Sequence, residues 1–125
     1  MKLDKNQPPN FDGGIIFVFS KSVAYSQITS LFGKEADIQV FDDVIEVTYV
    51  EIKSFCCWEV DEFLTHLFLQ CDFDFLLLAQ SKFDAKILID LSFHHYHDRY
   101  PALLFDGENM EKIRRLKASI SIDAY

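Results

Sequence analysis

Glycine is scarce in this sequence, and the four glycines present are not arranged as a phosphate site needs. A phosphate-binding loop requires closely spaced glycines, so that backbone N–H groups can surround the phosphate. The G-x-S-x-G turn that presents a nucleophilic serine in α/β-hydrolases is also missing. Neither enzyme class is therefore indicated, and we expect a protein without catalytic activity and without a cofactor.

Long hydrophobic runs are missing as well. The longest, such as Phe75 to Ala79, are far shorter than the roughly 20 apolar residues that cross a bilayer as a helix. The N-terminus carries no apolar segment typical of a secretory signal peptide. Three cysteines, of which Cys56 and Cys57 are adjacent, form no paired framework. We therefore expect a cytoplasmic protein with buried, unreactive thiols.

Positive charge is in short supply. Twelve Lys and Arg residues oppose 20 Asp and Glu residues, which gives a net charge of −8. Binding to nucleic acid or to an anionic membrane surface needs clustered Lys and Arg, so both are disfavoured. A negative charge of this size favours encounter with a basic protein partner. The alternative is that the charge serves only solubility.

Hydrophobic residues, by contrast, are abundant. They make up half of the 125 residues, and 13 are phenylalanines, which suffices for the core of one domain. Residues 1–13 are polar and contain two adjacent prolines, a composition typical of a flexible leader. We therefore predict a leader at 1–13 and a single domain at 14–125.

The periodicity of the apolar residues predicts alternating strands and helices. The run Ile15–Phe19 predicts a strand buried on both faces, in the middle of a sheet. Asp42-Asp43 separates two alternating segments and predicts a hairpin turn. Asp72 is the expected N-cap of the second of two helical stretches, and the chain closes on a helix that leads into a strand.

These elements follow the order β-α-β-β-α(α)-β-α-β. They predict an α+β fold with a single mostly antiparallel sheet of about five strands and helices packed on one face. The short apolar run Leu103–Phe105 is a candidate additional edge strand.

Charge is unevenly distributed along the chain. Between Glu35 and Ser81 there are eleven acidic residues and one Lys, whereas Lys112, Arg114, Arg115 and Lys117 are packed into the final helix. This pattern predicts an acidic surface that pairs with Lys and Arg of a partner. Tyr49 and Phe55 are the aromatic residues expected to be exposed there as anchors. The predicted partner-binding residues are Asp42, Asp43, Glu46, Tyr49, Glu51, Phe55, Glu59, Asp61 and Glu62.

A histidine cluster offers a second interpretation. His95 and His97 would share one face of a strand, with His94 beside them, and Asp98 or Asp106 could add an oxygen ligand. The cluster supports an alternative hypothesis of a metal-binding or small-molecule-binding protein. A domain with a structural role and no catalytic one is the remaining alternative.

The order of motifs resembles a known family. A strand, a short helix ending in Leu31-Phe32-Gly33, a tryptophan (Trp58) before a helix pair, a long strand, and a closing Ile122-Asp123-Ala124-Tyr125 are together similar to a family of small bacterial proteins known as a domain of unknown function. The resemblance covers roughly residues 15–125. It departs from the family pattern between Asp42 and Phe55.

The resemblance implies a role rather than a reaction. Small acidic proteins of this kind occur as immunity proteins beside bacterial toxins, including those of contact-dependent growth inhibition and related polymorphic toxin systems. On this basis we expect a cytoplasmic immunity protein that neutralises a cognate basic toxin domain, with a nuclease as the expected toxin type.

Overall fold

A computed structural model describes residues 7–94 and 107–124 of the chain. These residues form an α+β fold with five strands and four helices. In chain order the elements are β1 (Asn10–Ser20), α1 (Tyr25–Phe32), β2 (Asp37–Val40), β3 (Val44–Cys56), α2 (Val60–Leu69), α3 (Phe73–Phe83), β4 (Lys86–His94), α4 (Gly107–Leu116) and β5 (Ser119–Ala124).

The five strands form one open sheet in the order β2-β3-β1-β4-β5. β1 pairs with β3 on one side and with β4 on the other, so the first strand of the chain is the central one. Only β4 and β5 are parallel, and they are joined through α4. The predicted mostly antiparallel sheet of about five strands is confirmed. The Asp42-Asp43 hairpin turn is also confirmed, with the N–H of Phe41 donating to the carbonyl of Val44 at 2.9 Å.

β1 starts earlier than its composition predicts. It begins at Asn10, inside the segment assigned to a leader, because Phe11 is fully buried and pairs with both Phe55 and Phe93. Burial of one phenylalanine contributes roughly 1.5–3 kcal/mol, which outweighs the weak strand propensity of the two glycines that follow. The boundary at residue 13 was therefore wrong for residues 10–13.

The helices cover only one face of the sheet. Along β1 the side chains of Phe17 and Phe19 are buried, whereas Ile16 and Val18 are half-buried. Successive side chains of a strand point to opposite faces, so within residues 7–94 and 107–124 this alternation means that only one face has a helical cover. The central position predicted for Ile15–Phe19 is correct, but the prediction of burial on both faces was not.

Helix α1 shows how local signals set an element boundary. Gly33 follows the helix with φ of 94°, a conformation that glycine adopts at low cost, and its N–H donates to Thr29. At the other end Ala24 is the N-cap residue, and the Gln27 side chain accepts the Ala24 N–H at 3.1 Å. Ser22, two residues earlier, bonds to Ser20.

The second helical region is a pair of helices rather than one bent helix. α2 ends at Leu69, and α3 begins after Asp72, whose carboxylate accepts the N–H of Phe75 at 3.2 Å as the sequence predicts. This cap satisfies one of the free N–H groups at the start of α3.

Aromatic rings bind the helices to the sheet. Phe11 stacks on Phe63 of α2 with ring centroids 5.2 Å apart, and Phe19 meets Phe83 of α3 edge to face at 5.8 Å. Offset stacks and edge-to-face contacts are the favoured geometries of such pairs. The 13 phenylalanines therefore supply much of the layer between the sheet and the helices. The candidate edge strand Leu103–Phe105 lies outside the described residues.

Candidate partner-binding surface

The nine predicted partner-binding residues lie in different parts of the fold. Asp42 and Asp43 are exposed at the β2–β3 turn, and Glu46 and Glu51 lie on the sheet face opposite the helices. We call that uncovered side the open face. The remaining five predicted residues lie on the helical side of the sheet or at the start of α2.

Tyr49 and Phe55 are not the exposed anchors that we expected. Both are half-buried on the helical side. The Tyr49 ring stacks on Phe75 at 5.4 Å, and its hydroxyl accepts the N–H of Asp72 at 3.2 Å. Phe55 stacks on His66 with centroids 4.1 Å apart. Tyr49 lies on the same face of β3 as Val47, but a strand pattern cannot show that Phe75 of α3 would stack on its ring.

The three acidic residues at the start of α2 are also divided by the packing. Glu59 and Glu62 are exposed, whereas Asp61 accepts a hydrogen bond from Asn109 of α4 at 3.0 Å. Asn109 is a buried polar side chain, and it also donates to Thr65 at 2.9 Å. Asp61 therefore has a structural role in holding α4 against α2. The sequence does not reveal this role, because Asn109 lies 48 residues further along the chain.

The open face carries carboxylates from all five strands. In the row that crosses β3, β1, β4 and β5, Glu51 pairs with Gly14, Gly14 with Asp90, and Asp90 with Ser121. One row further along the sheet, the same alternation places Asp12, Ser92 and Asp123 on this face, and Asp37 and Glu46 lie on its β2–β3 side. Paired side chains in such rows lie about 4.5–5.5 Å apart at Cβ.

A depression of about 300 Å³ lies at the centre of the open face. Gly14 forms part of its floor, because a Cβ on this residue would lie 2.3 Å from the carbonyl oxygen of Val50. Its lining includes three carboxylates and two hydroxyls: Asp12, Glu51, Asp90, Thr48 and Ser92. Such a lining offers hydrogen-bond acceptors and negative charge to a cationic group.

Sequence reasoning missed half of this surface. Asp12 fell in the expected leader, and Asp90 lay in a segment outside the acidic stretch. Asp12 also has a structural contact, because its Oδ1 accepts the N–H of Ser54 at 2.7 Å. Ser54 has φ of 66° at a bulge of β3, so the carboxylate stabilises an uncommon backbone conformation. In β4 the burial alternates, and this alternation places Asp90 on the face opposite the core.

Exposed apolar residues lie next to the acidic turn. Val40 and Phe41 are 55% and 46% exposed and directly precede Asp42 and Asp43. An exposed aromatic side chain beside charged groups is typical of a protein contact. Phe41 is thus a better candidate for a protruding anchor than Tyr49 or Phe55.

The cations of α4 lie on the helical side. The Lys112 ammonium sits over the Phe68 ring at 5.5 Å, and the Arg115 guanidinium over the Phe73 ring at 5.0 Å. Arg114 donates to Glu111 at 3.0 Å through Nε, and this contact lowers the pKa of the Glu111 carboxyl. Because α4 packs against α2 and α3, these cations are directed away from the open face.

The cysteines only partly match the expectation of buried thiols. Cys57 is buried, but Cys56 is exposed. Burial raises the pKa of the Cys57 thiol to about 11, with the charge of Glu62 adding to the effect. Burial likewise raises the pKa of Cys71 to about 11. These two thiols are therefore poor nucleophiles at neutral pH.

The metal alternative gains no support from the part of the chain that the structure describes. His94 is exposed at the end of β4, and His95, His97, Asp98 and Asp106 lie outside the described residues. Within 7–94 and 107–124 no group of three or more His, Cys, Asp or Glu side chains is placed to hold a metal ion. Among the same residues, no helix is long and apolar enough to cross a membrane.

Comparisons with known proteins add no relative. Neither the protein-family models, nor the curated proteins, nor the solved structures contain a match to this chain.

Proposed function

We propose that this protein is an immunity protein, which binds a basic toxin domain on its open face and neutralises it. The observation that carries the proposal is the depression at Gly14, lined by Asp12, Glu51 and Asp90. The acidic character of the chain and the apolar residues Ile16 and Leu88 on the same face support it, as does the position of all four described helices on the other face.

Charge and shape both favour a cationic protein as the partner. A nuclease must hold phosphates with Lys and Arg, and carboxylates on a concave surface can take the place of those phosphates. Desolvated carboxylate–guanidinium pairs contribute most when several converge on one site. A protein bound here would cover the open face and keep nucleic acid from the toxin's cationic site.

The assignment to toxin immunity rests on the family resemblance described above and on the net charge of −8. It predicts a neighbouring reading frame that encodes a large secreted protein with a basic toxin domain. Co-expression of that domain should stop growth of the host cell, and this protein should restore it. A toxin domain whose effect persists at full expression of this protein would contradict the proposal.

A matched pair of triple variants tests the position of the interface. Asp12→Asn, Glu51→Gln and Asp90→Asn neutralise the depression, and the asparagine at position 12 keeps an acceptor for Ser54. Glu59→Gln, Glu62→Gln and Asp74→Asn neutralise three exposed carboxylates on helices α2 and α3. Both variants change the net charge by the same three units.

Titration calorimetry with the toxin domain should separate the two variants. We expect the open-face variant to lose about tenfold or more in affinity for each close ion pair removed, and the helix variant to bind within about threefold of wild type. Equal losses would show that only net charge matters. A larger loss in the helix variant would move the interface to α2.

A further inference from the structure

A second concavity lies at the edge of the sheet, where the open face meets the helical layer. It has a volume of about 290 Å³. Residues of α1, of β3, of α3 and of the segment before β2 surround it. All of its lining residues are half-buried: Leu31, Phe32, Ala36, Thr48, Tyr49 and Phe75. We call this concavity the aromatic socket.

The walls of the aromatic socket are held in place before any partner arrives. Phe75 stacks on Tyr49 with ring centroids 5.4 Å apart and meets Phe32 edge to face at 5.5 Å. The Tyr49 hydroxyl is fixed by the N–H of Asp72 at 3.2 Å. A group that enters such a site does not have to order the side chains around it, and this lowers the entropic cost of binding.

The size and lining of the socket select one apolar side chain as its occupant. Small-molecule pockets span about 300–1,000 Å³, so 290 Å³ lies just below their lower limit. The lining is aliphatic and aromatic apart from Thr48 and the Tyr49 hydroxyl, and that hydroxyl already has a partner. An apolar group that enters here removes its own surface and part of the aromatic rings from water, while the Thr48 hydroxyl lies at the boundary with the open face.

Acidic residues adjoin the lining of the socket along the chain, and they specify the flanks of the occupant. Ala36 lies between Glu35 and Asp37, and Asp72 contacts the Tyr49 hydroxyl through its backbone; the side chains of all three acidic residues are exposed. Lys34 is the next residue before Glu35, so these residues together still have a net negative charge. A segment with Lys or Arg on either side of the apolar residue would complement this charge.

Thr48 connects the socket to the proposed interface, because it lines both the socket and the depression at Gly14. We infer that the basic partner inserts one apolar side chain, flanked by Lys or Arg, into the aromatic socket while it covers the open face. The inference rests on the proposed function for the existence of that partner. The protein thus accepts an anchor side chain from its partner, whereas the sequence predicted that Tyr49 and Phe55 would be anchors on the protein itself.

A partner could instead add a strand to the edge of β3 near the socket, but β3 is poorly suited to strand addition. β3 bulges opposite Ile15 and Ile16, Ser54 has a positive φ, and Lys53 adds a charge along the same stretch. Bulges and charges of this kind are how proteins block edge-to-edge pairing. Insertion of a side chain needs no regular edge.

Two synthetic peptides separate the socket from the acidic face. Each has nine residues with Lys and Arg around a central position, which is Ala in one peptide and Leu in the other. Titration into the ¹⁵N-labelled full chain at low salt is followed through the amide signals. The Ala peptide should shift the signals of Glu51 and Asp90 by charge alone. The Leu peptide should also shift those of Ala36 and Phe75, and bind roughly tenfold more tightly.

Socket variants decide whether the added affinity comes from this site. Ala36→Phe fills the socket and should abolish the advantage of Leu over Ala while leaving the Ala peptide unaffected. Leu31→Ala enlarges it and should shift the preference from Leu to Trp, a result that loss of folding cannot produce. Met110→Ala removes an exposed side chain of α4, on the helical side of the sheet, and serves as the control.

Each outcome has a distinct meaning. Equal affinity for the Leu and Ala peptides, with shifts confined to the open face, would overturn the socket and leave the proposed function standing. Failure of both peptides to bind would overturn the two together. A Leu advantage that survives in Ala36→Phe would place the apolar contact elsewhere and overturn the socket.

Discussion

The two faces of the sheet are built from the same strands and carry opposite chemistry. On the helical face β1 and β4 present Phe11, Phe17 and Ile89, all fully buried. On the open face the alternate positions of the same strands present Asp12, Gly14 and Asp90. The difference shows how one strand can hold the fold together with one face while its other face carries polar and charged groups.

The glycines sharpen this comparison. A Cβ on Gly13 would approach the Phe63 ring at 3.0 Å and the Asp90 carbonyl at 2.6 Å, so Gly13 allows α2 and β4 to come close. Gly14 lines the depression on the other side, and its lack of a Cβ lets β1 lie against the Val50 carbonyl of β3. Two adjacent glycines thus serve two faces: the first lets α2 and β4 approach β1 on the core side, and the second lets β1 and β3 approach each other beneath the depression.

The largest expected effect is the loss of a core ring. Phe63→Ala should lower the free energy of unfolding by about 3–5 kcal/mol, because Phe63 is fully buried and its ring packs on Phe11. Leu88→Ala, at a half-buried position of the open face, should cost about 1 kcal/mol. Urea unfolding followed by circular dichroism measures both. Comparable losses would mean that the open face is covered in the free protein, and the comparison between the faces would fail.

An intermediate effect is expected at the floor of the depression. Gly14→Ala forces a methyl group against the Val50 carbonyl at 2.3 Å, so β1 and β3 must move apart. We expect a loss of about 1–3 kcal/mol together with weaker partner binding. Ser92 lines the same depression, and Ser92→Ala adds no atoms. Its free energy of unfolding should therefore stay within about 0.5 kcal/mol of wild type. If Gly14→Ala unfolds at the wild-type urea concentration, glycine is not required there.

The effect that is smallest at neutral pH concerns the thiols. The folded pKa of Cys57 and Cys71 is about 11, above the ordinary value of 9.0, so the unfolded chain loses its thiol protons first as the pH rises. The two thiols therefore stabilise the fold fully below about pH 9 and lose this contribution as the pH passes through about 11.

A double variant, Cys57→Ala with Cys71→Ala, isolates that contribution. Its stability should fall less steeply than that of wild type between pH 9 and about 11, as measured by thermal unfolding in matched buffers. Cys56 remains in both proteins, so differences in reactivity at the exposed thiol cancel. Parallel curves would contradict the raised pKa values.

Much of the fold follows from local patterns. The hairpin at Asp42-Asp43, the cap at Asp72 and the glycine after α1 were predictable because each depends on residues close together in the chain. The start of β1 was not predictable in this way, since Phe11 gains its burial from Phe63 and Phe93, which are more than 50 residues away.

The candidate surface was half predictable for the same reason. Glu46 and Glu51 were identified from the excess of acid in one stretch of the chain. Asp12 and Asp90 join them only because β1 lies between β3 and β4. Asp61 was assigned to the surface because nothing near it in the chain reveals the hydrogen bond from Asn109.

By itself the sequence determined the class of fold, the excess of negative charge and the alternation that gives each strand an apolar and a polar face. The sheet order and helix packing decided which polar residues meet, where the glycines let strands and a helix approach closely, and that Tyr49 forms a wall of the aromatic socket instead of an exposed anchor. The physical reason is the distance along the chain over which each effect acts. Propensity, capping and alternation act over a few residues, whereas burial and charge convergence depend on strands that the chain brings together from distant positions.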